Sequence, residues 1–294
     1  MEAAYRGVSS CITSVLVCFF LSVFFVLSLY IWGTRESRDH PDVIIRRFYS
    51  VFAMMCLSPP VVYVFMDKSI LQKTSLLHLL GLRFDGLIQA LFYPLVLTMI
   101  LFLGSLLMQG LTGLWRLYAE PMYWFWNLSD LAFLRSHVVA PIAEEFVFRG
   151  CMMPLLLQCF PISRAIFIAP LFFGVAHLHH MVDRVRHERI PFLNAFIISI
   201  FQMSYTTVFG AYSAFLFVRT GHLAAPCIAH AFCNHIGFPD FSEVLSYKKS
   251  QRYLVSFLFV LGLLAWIWLL KPLTSPELYH NHSVFWIDDA WMKM

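Results

Sequence analysis

The feature that most limits what this chain can fold into is the length of its apolar runs. Charge-poor stretches cover residues 9–32, 48–66, 86–109, 137–157, 165–181, 191–218, 222–239 and 253–270. About 20 such residues carry a helix across the hydrocarbon core of a bilayer. No water reaches the peptide groups there, so each run must satisfy its own backbone as a helix. The composition agrees: 60% of the 294 residues are hydrophobic and 13% are charged, against roughly 25% charged in soluble domains. The expected fold is all-α, a polytopic transmembrane helical bundle of about eight membrane helices enclosing a polar intramembrane site.

Short charged loops join the runs, with no long linker, low-complexity tract or repeat, so residues 1–294 read as one domain. Its polar core falls at about 137–240, and a C-terminal tail follows at 271–294. The first run, Gly7 to Thr34, is too long for a signal-peptide core and reads as a signal anchor. Pro59 and Pro60 mark a kink in the second run. Between the third and fourth runs, Pro121 to Arg135 holds Tyr123, Trp124, Phe125 and Trp126, the composition of a helix lying in the membrane interface. Arg35, Arg38, Arg46 and Arg47 in the first loop favour a cytosolic loop and a luminal N-terminus, whereas Lys68, Lys73 and Arg83 argue the other way. The seven cysteines lie mostly in apolar stretches without a CxxC pair and read as small buried hydrophobes. Asn127-Leu128-Ser129 and Asn281-His282-Ser283 are glycosylation sequons by pattern only. No basic tract or aromatic-basic interleave marks nucleic-acid binding.

Against this background, a few polar residues stand out. Glu144, Glu145 and Arg149 interrupt the fourth run. Ionisable groups at membrane depth cost at least about 2.5–3.5 kcal/mol each and by default mark function. Glu145 and Arg149 are i and i+4 on one helix face and can pair. Glu144 is rotated about 100° away and lacks a counter-ion on its own helix. The reading is a structural Glu145–Arg149 pair and a free, reactive Glu144. His177 lies one turn after Phe173 in the fifth run, while His179 and His180 approach the loop and read as interfacial. His230 and Asn234 are again i and i+4, two polar groups aimed at one point. His222 and His235 read as structural. A polar streak in the sixth run (Gln202, Ser204, Tyr205, Thr206, Thr207, Tyr212 and Ser213) either lines a cavity or packs helices.

A carboxylate, two imidazoles and a carboxamide are the parts needed for amide hydrolysis by water. Glu144 takes a proton from water, His177 orients that water and protonates the leaving amine, and His230 with Asn234 holds the oxyanion. This route needs no cofactor. Other readings stay open. His177, His230 and Glu144 form a His₂Glu zinc ligand set by type, although no HExxH is present. The same groups could relay protons in a transporter, or serve only as bundle glue.

At these positions the chain resembles a known family. Glu144-Glu145 followed by Arg149 is similar to EExxxR, Phe173 to His177 matches FxxxH, and His230 to Asn234 matches HxxxN. Together, in order and each on an expected membrane helix, they look like the type II CAAX prenyl endopeptidases of the wider CAAX-protease and bacteriocin-processing superfamily. The resemblance implies a multi-pass enzyme of the endoplasmic reticulum membrane. Its partners would be the bilayer and prenylated CaaX proteins such as Ras-family GTPases, from which it would remove the C-terminal tripeptide. It also implies catalytic roles for Glu144, His177, His230 and Asn234, supported by Glu145, Arg149 and Phe173.

Overall fold

The computed structural model describes residues 8–33 and 36–285. Among them the chain forms helices and no strands. Five helices are long and apolar enough to cross a membrane: α1 (Val8–Ser28), α2 (Pro41–Phe65), α6 (Ile162–Ala176, prolonged by His177–His179 and His180–Arg186), α7 (Phe192–Thr220) and α9 (Lys249–Leu273). A sixth crossing arises if α3 (Leu87–Leu101) and α4 (Leu103–Leu111) are counted together. They are bent by 73° about Phe102.

The two remaining expected spans take other forms. Residues 131–157 make one continuous helical run, α5, but its middle unwinds twice into wider π turns at Arg135–Val139 and Phe146–Cys151. The run buries Arg149, Phe148, Met152 and Met153 almost completely, so it threads the interior of the bundle. Such π bulges re-aim side chains and recur at functional sites. Here they flank the short α-helical piece Ala140–Glu145 that carries both glutamates. The other departure is α8 (Ala224–Ile236), which has 13 residues. At about 1.5 Å per residue it reaches about 20 Å, less than a bilayer core, and it packs against α3, α5 and α7.

The core follows from this arrangement. Cys18 and Phe25 of α1, Met54 and Val62 of α2, Val147, Phe148, Met152, Met153, Leu155 and Leu156 of α5, and Ala165, Ile166 and Phe173 of α6 form one apolar cluster. Outward-facing positions such as Phe52, Val64, Ile88, Val208 and Trp268 are more than 65% exposed within the chain, as a lipid-facing surface requires. α6 and α7 make the most extensive helix contact, and small residues let their backbones approach. A Cβ added at Gly174 would collide with Thr207 Oγ1, and one at Gly210 would lie 2.9 Å from Pro170 Cβ and 3.0 Å from Arg149 Nη2.

Several expectations are modified. α2 continues through Pro59 and Pro60, and the Ser58 hydroxyl donates to the Met54 carbonyl one turn before them. The interfacial segment is a helix over Pro121–Ser129; Trp124 packs on Tyr118 and His235, while Phe125 and Trp126 stay exposed. Cys11 and Cys159 are not two isolated small hydrophobes but a disulfide joining α1 to the end of α5. Sequence alone could not pair residues 148 positions apart. The Asn281 sequon is structural: its buried amide donates to the Val218 and Arg219 carbonyls at 3.1 and 3.0 Å, and nothing is left to carry a glycan. The C-terminal segment up to residue 285 is tied down as well, since Arg83 donates to the carbonyls of Thr220, Gly221, Tyr279 and His280.

Candidate active site

The two adjacent glutamates have different surroundings. Glu145 is wholly buried and fully engaged. Its Oε1 accepts from Arg149 Nη1 at 3.1 Å and from His230 Nδ1 at 2.7 Å, and its Oε2 accepts from Ser213 Oγ at 2.5 Å. Arg149 in turn donates to the Gly210 carbonyl at 3.3 Å and stacks over the Phe173 ring at 4.3 Å. A buried ion pair persists only when its remaining donors and lone pairs are satisfied, and Ser213, Gly210 and Phe173 supply that satisfaction. The i, i+4 pair expected from sequence is therefore present. Sequence reasoning missed that Glu145 also holds His230, and that Ser213 of the polar streak completes the carboxylate.

Among the described residues, no Lys or Arg pairs with Glu144. Its side chain keeps 21% exposure, and its Oε2 stands 3.9 Å from His230 Nε2. It lines a cavity of about 340 Å³ together with Phe173, His177, His230 and Asn234, a volume in the ~300–1,000 Å³ range of ligand sites. Five of the seven residues singled out in sequence thus share one chamber, and Glu145 and Arg149 lie immediately behind it.

The hydrogen bonds also fix the imidazoles. His177 Nδ1 lies 2.8 Å from the Phe173 carbonyl, which can only accept, so Nδ1 carries the proton and Nε2 is left with a free lone pair. This backbone contact explains the FxxxH spacing, since the histidine is held by the carbonyl one turn before it. Phe173 also packs edge-on against both rings, at 4.6 Å from His177 and 6.0 Å from His230. His230 Nδ1 donates to Glu145, which turns its Nε2 toward Glu144. Asn234 is more exposed, at the rim of the cavity, and its Nδ2 donates to the Ser136 carbonyl at 2.9 Å, leaving a second N–H unused. Ser136 belongs to the first π turn.

The neighbouring polar residues divide. Gln202 lines the cavity and accepts from Arg184 at 2.6 Å. Thr206 and Thr207 return their hydroxyls to their own helix, and Tyr212 pairs with Thr98 at 3.0 Å. His179 and His180 line the cavity too. His222 meets the Asp85 carbonyl, and His235 sits among Tyr118, Trp124 and His137, both away from the reactive centre. Among the described residues, no group of three His, Cys, Asp or Glu side chains is arranged to hold a metal ion.

An unpaired carboxylate and two oriented imidazoles beside a cavity inside a helical bundle are the parts that an intramembrane hydrolase would use. Comparison with known proteins narrows the class. Residues 126–236 match the family described as type II CAAX prenyl endopeptidase Rce1-like. The chain is 44% identical over 277 residues to human CAAX prenyl protease 2, covering 92% of this chain and 83% of the human protein. It is 36% identical to the Arabidopsis thaliana protein of the same name over 92% of both chains, and 28% identical to that of Saccharomyces cerevisiae over 78% of this chain and 81% of the yeast protein. No solved structure matches. The chain belongs to the type II CAAX prenyl endopeptidase family and is a membrane peptidase.

Proposed function

We propose that Glu144, His177, His230 and Asn234 hydrolyse the peptide bond after the prenylated cysteine of CaaX proteins and release the terminal tripeptide intact. The contrast between the two glutamates carries this reading. Glu145 is saturated by Arg149, Ser213 and His230, whereas Glu144 faces the cavity with only an imidazole near it. A general base must be ionised, within reach of water and not already neutralised.

In the reaction, Glu144 takes one proton from a water whose oxygen attacks the scissile carbonyl carbon. The free Nε2 of His177 orients that water. The carbonyl oxygen becomes an oxyanion and accepts from the spare N–H of Asn234. A second donor to the oxyanion is His230 Nε2–H, in a ring that enters and leaves the cycle as the imidazolium with its Nδ1–H on Glu145. The C–N bond then breaks, and the proton held by Glu144 passes by way of His177 to the leaving amine. Glu145 and Arg149 keep His230 in its orientation.

Substrates include the prenylated small GTPases of the Ras family, and the enzyme works in the endoplasmic reticulum membrane. The disulfide supports the orientation. Such bonds persist in the oxidising lumen, and Cys11 lies at the N-terminal end of α1. The cavity is lined by Phe25, Val26 and Leu29 at the other end of that helix, so it faces the cytosol, where prenylated proteins arrive. The test is incubation of the purified chain in vesicles with a farnesylated CaaX peptide and its unprenylated counterpart. Mass analysis should find the intact tripeptide from the first alone. Metal analysis of the same sample decides the zinc alternative: stoichiometric zinc lost on His230→Ala would replace the water-and-glutamate mechanism.

A further inference from the structure

Beside the reactive groups, the cavity carries a feature that the hydrolysis above does not use. Among the described residues, four guanidinium groups line it, those of Arg38, Arg47, Arg135 and Arg184, against a single lining carboxylate, Glu144. Arg135 is satisfied by Asp39 at 2.8 Å, and this contact holds the Asp39 carboxyl below its usual range. The other three are less fully neutralised: the buried Asp183 carboxylate acts on Tyr30 and His179 together with Arg47 and Arg38, but among the described residues it makes no ion pair with Arg47, Arg184 or Arg38. Arg47 lies 5.6 Å over the Tyr30 ring, and its Nε is buried without a hydrogen-bond partner. Arg184 donates only to neutral groups, Ser199 Oγ at 2.8 Å and Gln202 Oε1 at 2.6 Å. Arg38 reaches His180 Nδ1 at 3.4 Å and lies 3.8 Å from the already paired Asp39. Arginines collect at cytosolic membrane edges for topological reasons alone, but such residues face water or headgroups. These line a chamber, and a buried donor left unpaired costs free energy until an acceptor arrives.

We propose that Arg47, Arg184 and Arg38 bind the free C-terminal carboxylate of the peptide substrate, so that the enzyme locates the scissile bond by measuring back from that charged end. The inference rests on the peptidase reading above. Its physical basis is that the terminal carboxylate is the one anion every such substrate carries, whatever its last three side chains. Guanidinium groups bind carboxylates through paired, charge-assisted hydrogen bonds. Three extended residues span at most about 10 Å. From His177, one step of 5.8 Å between ring centres reaches His180, whose Nδ1 lies 3.4 Å from Arg38, and Arg47 and Arg184 line the same cavity.

The experiment compares a farnesylated CaaX peptide acid with its C-terminal amide, using the full-length protein in phosphatidylcholine vesicles. The wild type should favour the acid by about 10–100-fold in kcat/KM, the usual effect of losing a charge-assisted hydrogen bond. Arg47→Gln and, separately, Arg184→Gln should bring the acid-to-amide ratio toward one, while Arg47→Lys should keep part of it. Because the ratio is taken within each variant, a loss of folded protein does not disturb it, and either Gln variant suffices if the other fails to fold. Equal cleavage of acid and amide by the wild type overturns the carboxylate site and leaves the peptidase reading intact. So does an arginine dependence that appears only when phosphatidylserine is added, which would assign the cluster to lipid headgroups. Cleavage of neither peptide overturns both readings.

Discussion

Glu144 Oε2 lies 3.9 Å from His230 Nε2, while the other nitrogen of the same ring lies 2.7 Å from Glu145 Oε1. One imidazole therefore separates a carboxylate neutralised by Arg149 from one left free in the cavity. In the proposed mechanism the consecutive glutamates belong to different systems, the first to the reaction and the second to the scaffold that aims the ring.

The scaffold role predicts a stability defect. Removing one partner of a buried ion pair leaves an uncompensated charge and costs roughly 3–5 kcal/mol. Glu145→Ala and Arg149→Ala should each lower the thermal stability of the purified protein sharply, with Arg149 losing its acceptor in one case and Glu145 its counter-ion in the other. Wild-type stability for either variant would show that the pair is not an essential brace.

Asn234 is expected to act in the transition state. If its second N–H serves the oxyanion while the other stays on Ser136, Asn234→Ala should lower kcat by about 10²–10³ with little change in KM. Steady-state kinetics on a prenylated peptide separates the two parameters. A variant whose defect lies in KM alone would make Asn234 a binding residue.

Helix contact at α6 and α7 sets where His177 sits. Gly174→Ala drives a methyl group into Thr207 Oγ1, an overpacking that typically costs about 1–3 kcal/mol. Activity and thermal stability should both fall, and adding Thr207→Ala should recover part of each. If Gly174→Ala is silent, the close approach of the two helices is not what positions the histidine.

Much of this was legible in the sequence because charge is so rare in it. Glu144, Glu145, Arg149, His177, His230 and Asn234 stand out from apolar surroundings, and their i, i+4 spacings survive as the Glu145–Arg149 contact and the Phe173–His177 backbone bond. Contacts between distant segments were not legible. Nothing in the pattern sets Ser213 on Glu145 or aligns Arg47 and Arg184 on the same cavity. The π turns escaped because a widened turn has no compositional mark, and α8 counts among the expected spans because the run 222–239 carries no charge, although the three histidines of that run mark a short helix shielded inside the bundle.

The cysteines divide by position. Replacing Cys11 or Cys159 should remove a cross-link that closes a long loop, and destabilise by about 2–4 kcal/mol without removing turnover per folded molecule. Replacing Cys18, Cys56, Cys151, Cys227 or Cys233 should leave turnover in place, since a thiol in apolar surroundings does not ionise readily. A single cysteine variant that folds and is inert would restore a thiol mechanism.

The assignment of chemistry to Glu144 is tested most directly by Glu144→Gln, which keeps the shape of the side chain and removes its basicity. Release of the intact tripeptide from a farnesylated CaaX peptide should be measured per folded molecule, with stability recorded alongside. The variant should be as stable as the wild type, with turnover lower by at least about 10²-fold, the lower end of general-base catalysis. Near-normal release by Glu144→Gln would contradict the assignment.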